Sequence, residues 1–171
     1  MAIISAFQAE EEGSNPSTRS NKDCVMYYHS GSGVIAYDPW RGDMKSRTDW
    51  WCIVDVDKEI TRYYRWWLQR EKHIYLQKPA WDAHISIIRG EYACASNPQL
   101  WRKYQGQTVN FQYEHGHIRC EPDKDGGVYY WIDVEAPLLN QIRAEFGLPR
   151  GWRFHITIGR TYDYVARVPK R

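Results

Sequence analysis

The chain writes one short phrase twice, as AHISIIRG at positions 83–90 and FHITIGR at positions 154–160. Each copy sets a histidine, an isoleucine, a hydroxyl residue and an isoleucine in a row, with an arginine five places after the histidine. Such alternation predicts a strand, in which successive side chains point to opposite faces. His84 and Ser86 then share one face, backed by Ile85 and Ile87; His155 and Thr157 share another, backed by Ile156 and Ile158. A twofold arrangement of the two strands lines one cleft with two imidazoles and two hydroxyls. A lone histidine in an apolar strand is usually a satisfied core residue. Two copies, each closing the same larger unit, are hard to obtain by accident.

That larger unit is strand, helix, motif strand. In the first half it spans 50–56, 58–72 and 82–89; in the second, 127–134, 137–146 and 153–159. Asp57 can cap the first helix, and Ile60, Tyr63, Tyr64, Trp67 and Leu68 recur at helical spacing. Pro137 opens the second helix and Gly147 closes it. Outside the repeat, GVIAYD (33–38) reads as a strand and NPQLWRKYQG (97–106) as a short helix started by Asn97 and Pro98. TVNFQYE (108–114) and HIRCE (117–121), joined through His-Gly, read as a hairpin. The expected fold is α+β and two-lobed, with antiparallel sheets related by a pseudo-twofold axis, motif strands lining a central cleft, and helices outside. Residues 1–26 are expected to be a mobile polar leader, and 27–171 a single two-lobed catalytic domain.

Composition narrows the partners. A formal net charge of +2 over 171 residues gives no argument for non-specific polyanion binding by charge alone. Nine tryptophans and thirteen tyrosines belong mostly to a core, with some rings available to stack on nucleobases. Cysteines 24, 52, 94 and 120 form no CxxC pair, and AIISAF lacks the length and basic flank of a signal peptide. No apolar run approaches the roughly 18 residues of a membrane span. Reduced thiols in a cytoplasm are the expectation.

Two imidazoles and two hydroxyls suit phosphodiester chemistry. One neutral histidine accepts a proton from an attacking hydroxyl while the other, protonated, donates to the leaving oxygen. An ordinary imidazole, with a pKa about 6.5, populates both forms near neutrality and predicts a bell-shaped pH profile. Ser86 and Thr157 can donate to phosphate oxygens. Arg89 and Arg160 are candidates for further phosphate contacts. Simple alternation puts both on the face opposite the histidines, unless a bulge near Gly90 or Gly159 turns them. Tyr113 and Trp152 are the candidate base platforms; Trp81 and Trp152 each precede a motif histidine by three residues. His115, His117 and Cys120 in HGHIRC are read as a surface turn, without the fourth ligand that zinc would take. No metal or other cofactor is expected.

Paired His-φ-Ser/Thr-φ motifs are the signature of the 2H phosphoesterase superfamily, which HISI and HITI resemble position for position. Within it, WDAHISIIRGE (81–91), LWRKYQGQTVNFQY (100–113) and WIDVEAPLLNQIRAEFGLPRGWRFHITIGR (131–160) resemble bacteriophage anti-CBASS cyclic-oligonucleotide phosphodiesterases. That resemblance implies a metal-independent enzyme that cuts 3′–5′ linkages in cyclic di- and trinucleotide immune messengers, in the cytoplasm of a host bacterium. It implies no duplex nucleic acid, membrane or protein partner. The alternatives are an RNA 2′,3′-cyclic phosphodiesterase or RNA end-processing enzyme, and a non-catalytic sponge that holds cyclic nucleotides intact.

Overall fold

The computed structural model describes residues 28–42, 44–124 and 126–162. The expected leader at 1–26 lies outside the described residues. Seven strands form one antiparallel sheet: β1 (Tyr28–Tyr37), β2 (Trp51–Val56), β3 (His84–Arg89), β4 (Thr108–Glu114), β5 (Ile118–Pro122), β6 (Val128–Asp133) and β7 (His155–Thr161). Their order across the sheet is β4-β1-β2-β3-β7-β6-β5. Helix α1 (Lys58–Lys72) joins β2 to β3, and α2 (Pro137–Glu145) joins β6 to β7. The repeated units β2–α1–β3 and β6–α2–β7 thus meet at the middle, motif strand against motif strand. This is the α+β, pseudo-twofold architecture that the repeat demands.

Local chemistry sets the helices. The Asp57 carboxylate accepts from the Glu59 amide at 2.9 Å, filling one of the orphan donors at the start of α1. His73, in the left-handed region at φ 55°, ends it. Thr61, Tyr64 and Leu68 form its buried face, whereas Tyr63, which shares the helical spacing, is exposed. α1 packs on β7 and α2 on β3, so each helix covers the motif strand of the other half. Ile85, Ile87, Ile156 and Ile158 are fully buried in the continuous core beneath them. Burial of that kind stabilises by roughly 1.5–3 kcal/mol per side chain. The apolar faces of the motif strands are thereby fixed toward the helices, and the histidine faces toward the other side.

Two expectations outside the repeat are corrected. β4 and β5 are not a hairpin: β4 pairs with β1, and β5 pairs with β6. The partner of β4 is the stretch Tyr28–Val34, so that β1 begins well before GVIAYD. Phe111 explains the choice. Its ring lies 2.6 Å from where a Cβ on Gly31 would sit, so only a glycine strand admits it. Residues 97–106 are not an α-helix either; Pro98–Leu100 makes one 3₁₀ turn, and Trp101 is extended at ψ 136°. Trp101 leaves the helix to pack its ring on Tyr37 and Phe146 and to donate Nε1–H to Asp38 at 2.9 Å. Tertiary packing here overrides local propensity.

The connection from α1 to β3 runs beside β7. Gln77 and Arg160 exchange backbone hydrogen bonds of 2.8 and 3.3 Å. This approach requires Gly159, where an added Cβ would meet the Gln77 carbonyl oxygen at 2.5 Å. Gly159→Ala is therefore expected to cost about 1–3 kcal/mol of stability, read as a lower urea midpoint; an unchanged midpoint contradicts the close packing.

Candidate active site

β3 and β7 pair through one residue couple, Ile85 opposite Ile156. Carried one residue either way, the antiparallel register sets His84 beside Thr157 and Ser86 beside His155. All four side chains, with Arg89 and Arg160, line one cleft of about 600 Å³. The connection at 77–81 forms its wall, and Trp81, Tyr129 and Tyr162 add aromatic surface.

Both imidazoles are oriented by the same device. His84 Nδ1–H donates to the Asp82 carbonyl oxygen at 2.8 Å, and His155 Nδ1–H donates to the Arg153 carbonyl oxygen at 3.1 Å. A carbonyl only accepts, so Nδ1 carries the proton in each neutral ring and Nε2 is left for chemistry. At the third position of the first motif, Trp51 Nε1–H donates to Ser86 Oγ at 3.4 Å. The Ser86 hydroxyl proton then remains available for an oxygen of a bound phosphate.

The surroundings differ between the halves. His84 lies near the rings of Trp51 and Trp81, with centroids 5.7 and 6.4 Å away. Burial there pushes its pKa down to about 4; the Asp82 carbonyl opposes this, while the charges of Arg41, Arg89 and His155 add to it. The expectation that both imidazoles titrate near neutrality is corrected for this one: His84 is neutral at pH 7. Arg41 is a site residue that sequence reading missed. Its Nη1 donates to the same Asp82 carbonyl at 3.0 Å, and its other end pairs with Asp55. A polar loop gave no periodic signal for it. Tyr129 and Tyr162 were also missed, among many tyrosines of equal appearance.

Arg89 and Arg160 reach the histidine face because each motif strand carries a bulge. Cys52 opposes Ile88 while Ile53 opposes Ser86, so Ile87 is the extra residue in β3. Tyr130 opposes Gly159 while Trp131 opposes Thr157, so Ile158 is the extra residue in β7. One inserted residue flips everything after it to the other face, which overturns the simple alternation for both arginines. The Arg89 guanidinium lies over the Trp51 and Trp81 rings, at 5.5 and 5.4 Å, with no carboxylate partner among the described residues. Arg160 lies over Tyr129 and Tyr162, at 4.9 and 4.4 Å, and pairs with Asp123 at 2.7 Å.

The remaining candidates separate. Trp152 is outside the cleft but lines an adjoining hollow of about 470 Å³ that shares Tyr129, His155 and Thr157 with it. Tyr113 is not brought to the cleft. It sits on β4 at the edge of the sheet, where its ring packs near Phe111, Tyr64 and His29. His115 meets His29 at 2.7 Å, and His117 meets Glu114 at 3.0 Å, so the HGHIRC side chains are engaged separately.

Two imidazoles, two hydroxyls and two guanidinium groups line one cleft, a set of proton carriers and donors suited to a phosphate ester. The family model for the Swiss Army Knife, 2H phosphoesterase domain matches residues 52–166. The chain belongs to that family, whose members are hydrolases acting on phosphoric diester bonds, and it is a phosphodiesterase. No curated protein and no solved structure matches it. No helix among the described residues is long and apolar enough to cross a membrane.

Alanine at His84 or at His155 is expected to lower kcat by roughly 10²–10⁴-fold with an unchanged unfolding midpoint; activity within threefold of wild type would exclude that imidazole from the chemistry. Because the His84 pKa is lowered, the ring stays basic until pH falls through about 4. With His84 as the general base, the acidic limb of kcat/KM is expected there, and a limb at the ordinary imidazole value of 6.5 contradicts that role. Stability follows the same linkage. The unfolded chain takes up this proton first, so the contribution of His84 declines as pH falls from 6.5 toward 4.

Proposed function

We propose that this enzyme hydrolyses 3′–5′ bonds in cyclic di- and trinucleotide messengers, and so counters a bacterial CBASS defence. The observation that carries the reading is the pair of imidazoles lining one cleft of about 600 Å³, each with Nδ1 held by a backbone carbonyl. A hollow of that size suits a compact ligand. Trp81, Tyr129 and Tyr162 supply stackable surface on its walls. The resemblance of residues 81–91, 100–113 and 131–160 to anti-CBASS phosphodiesterases points to the same substrates, in a bacterial cytoplasm.

His84, neutral at pH 7, takes the proton from the ribose 2′-OH beside the scissile phosphate. The freed oxygen attacks phosphorus, and the bond from phosphorus to the 5′-oxygen breaks. Protonated His155 gives its proton to that leaving oxygen. Ser86, Thr157 and Arg89 donate to the phosphate oxygens as charge gathers on them. The product, a 2′,3′-cyclic phosphate, opens when water enters and the two imidazoles exchange roles. Every proton and charge in this scheme is handled by side chains of the chain itself.

One feature favours a second reading. The hollow that continues from His155 and Thr157 past Trp152 and Arg153 offers a path for a strand longer than the cleft holds. A linear RNA ending in a 2′,3′-cyclic phosphate would use it. The two readings separate when cyclic GMP–AMP, cyclic tri-AMP and a short RNA with that end are incubated with the enzyme and the products identified by mass spectrometry. Cleavage of the cyclic compounds is expected, with activity retained in EDTA. Consumption of the RNA alone would overturn the messenger reading.

A further inference from the structure

A β-bulge leaves the extra residue's carbonyl without its partner in the ladder, and a buried carbonyl without a donor costs about 1–3 kcal/mol. Both bulges here solve that problem in the same way, and each does so with the opposite half of the molecule. Arg65 on α1, from the first half, donates Nη1–H to the carbonyl oxygen of Ile158 at 3.1 Å. Arg143 on α2, from the second half, donates Nη1–H to the carbonyl oxygen of Ile87 at 2.8 Å. Ile158 and Ile87 are the inserted residues of β7 and β3. Arg143 is buried and further held by two 2.8 Å hydrogen bonds to Glu91 and by the face of Trp152, 4.3 Å from its guanidinium.

We propose that Arg65 and Arg143 are positioning residues, which hold the two bulges and thereby keep Arg160 and Arg89 on the histidine face of the cleft. Without the donor from α1, the regular ladder becomes the cheaper arrangement for β7. In that register Arg160 turns toward the helices and the cleft loses a cation. The roles are crossed: Arg65 serves Arg160, and Arg143 serves Arg89. The proposal rests on the phosphodiesterase reading for its kinetic test but not for its spectroscopic one.

Arg65 is only half-buried, so Arg65→Gln is expected to fold. Arg65→Met, which keeps the aliphatic stem, serves as a second variant, and unfolding midpoints are compared for both. With cyclic GMP–AMP as substrate, Arg65→Gln should lower kcat/KM roughly 10-fold or more, the scale of one lost hydrogen bond to a charged group. Arg160→Ala should do the same. In the Arg160→Ala background Arg65→Gln should cost less than twofold further, whereas in an Arg89→Ala background it should cost its full factor. Arg65→Lys, which still donates to the carbonyl, should recover most of the loss. A general loss of rigidity would instead multiply equally in both backgrounds, and that result overturns the proposal. The second readout needs no turnover. The Arg160 Nε–H resonance, shifted by the rings of Tyr129 and Tyr162, should move in Arg65→Gln and Arg65→Met and stay in Arg65→Lys. If wild type cleaves neither cyclic GMP–AMP nor the cyclic-phosphate RNA, the substrate reading fails while this resonance still decides the positioning role; an unmoved resonance in both variants refutes it.

Discussion

Everything at the active site depends on how two strands meet at Ile85 and Ile156. Because the strands are antiparallel and the pairing is centred on the isoleucine after each histidine, each imidazole falls beside the other strand's hydroxyl. Because the pairing covers so little of either strand, β3 and β7 part immediately afterwards and leave a cleft between them. A longer ladder would close that space. The fully buried isoleucines hold this junction from beneath, each half's helix packing over the other half's motif strand.

The symmetry of the backbone does not extend to its electrostatics. The two Nδ1–H groups are tied to carbonyls in the same manner, yet His84 is enclosed by Trp51 and Trp81 and faces two arginines. Arg89 lies on tryptophan faces without a carboxylate among the described residues, while Arg160 is held by Asp123. In the mechanism proposed above, such differences around a duplicated motif are what let one copy serve as base and the other as acid. Identical copies in identical surroundings would compete for one proton.

The repeat made much of this legible in advance. Helix α1 falls at Lys58–Lys72 and α2 begins at Pro137, where capping and periodicity put them, and the two histidines share a cleft with their hydroxyls. What sequence reading missed lies where long-range packing decides. The partner of β4 is chosen by the fit of Phe111 over Gly31, and nothing local announces that pairing. Trp101 abandons a helix with a correct Asn-Pro start for the sake of its indole contacts. The facing of Arg89 and Arg160 turns on bulges whose donors sit on distant helices. Arg41 acts from a loop without pattern, and Tyr113 alternates correctly on a strand that is at the wrong edge.

The central claim is that His84 and His155 flank a single phosphorus atom. Nitrogen-15 NMR of the two Nε2 resonances during a titration with inorganic phosphate tests it directly. Both resonances are expected to move along one saturation curve with one Kd, and neither should respond in a variant lacking the other imidazole as it does in wild type. Two different curves, or movement of one ring alone, would mean that the imidazoles serve separate sites and that this account of the enzyme is wrong.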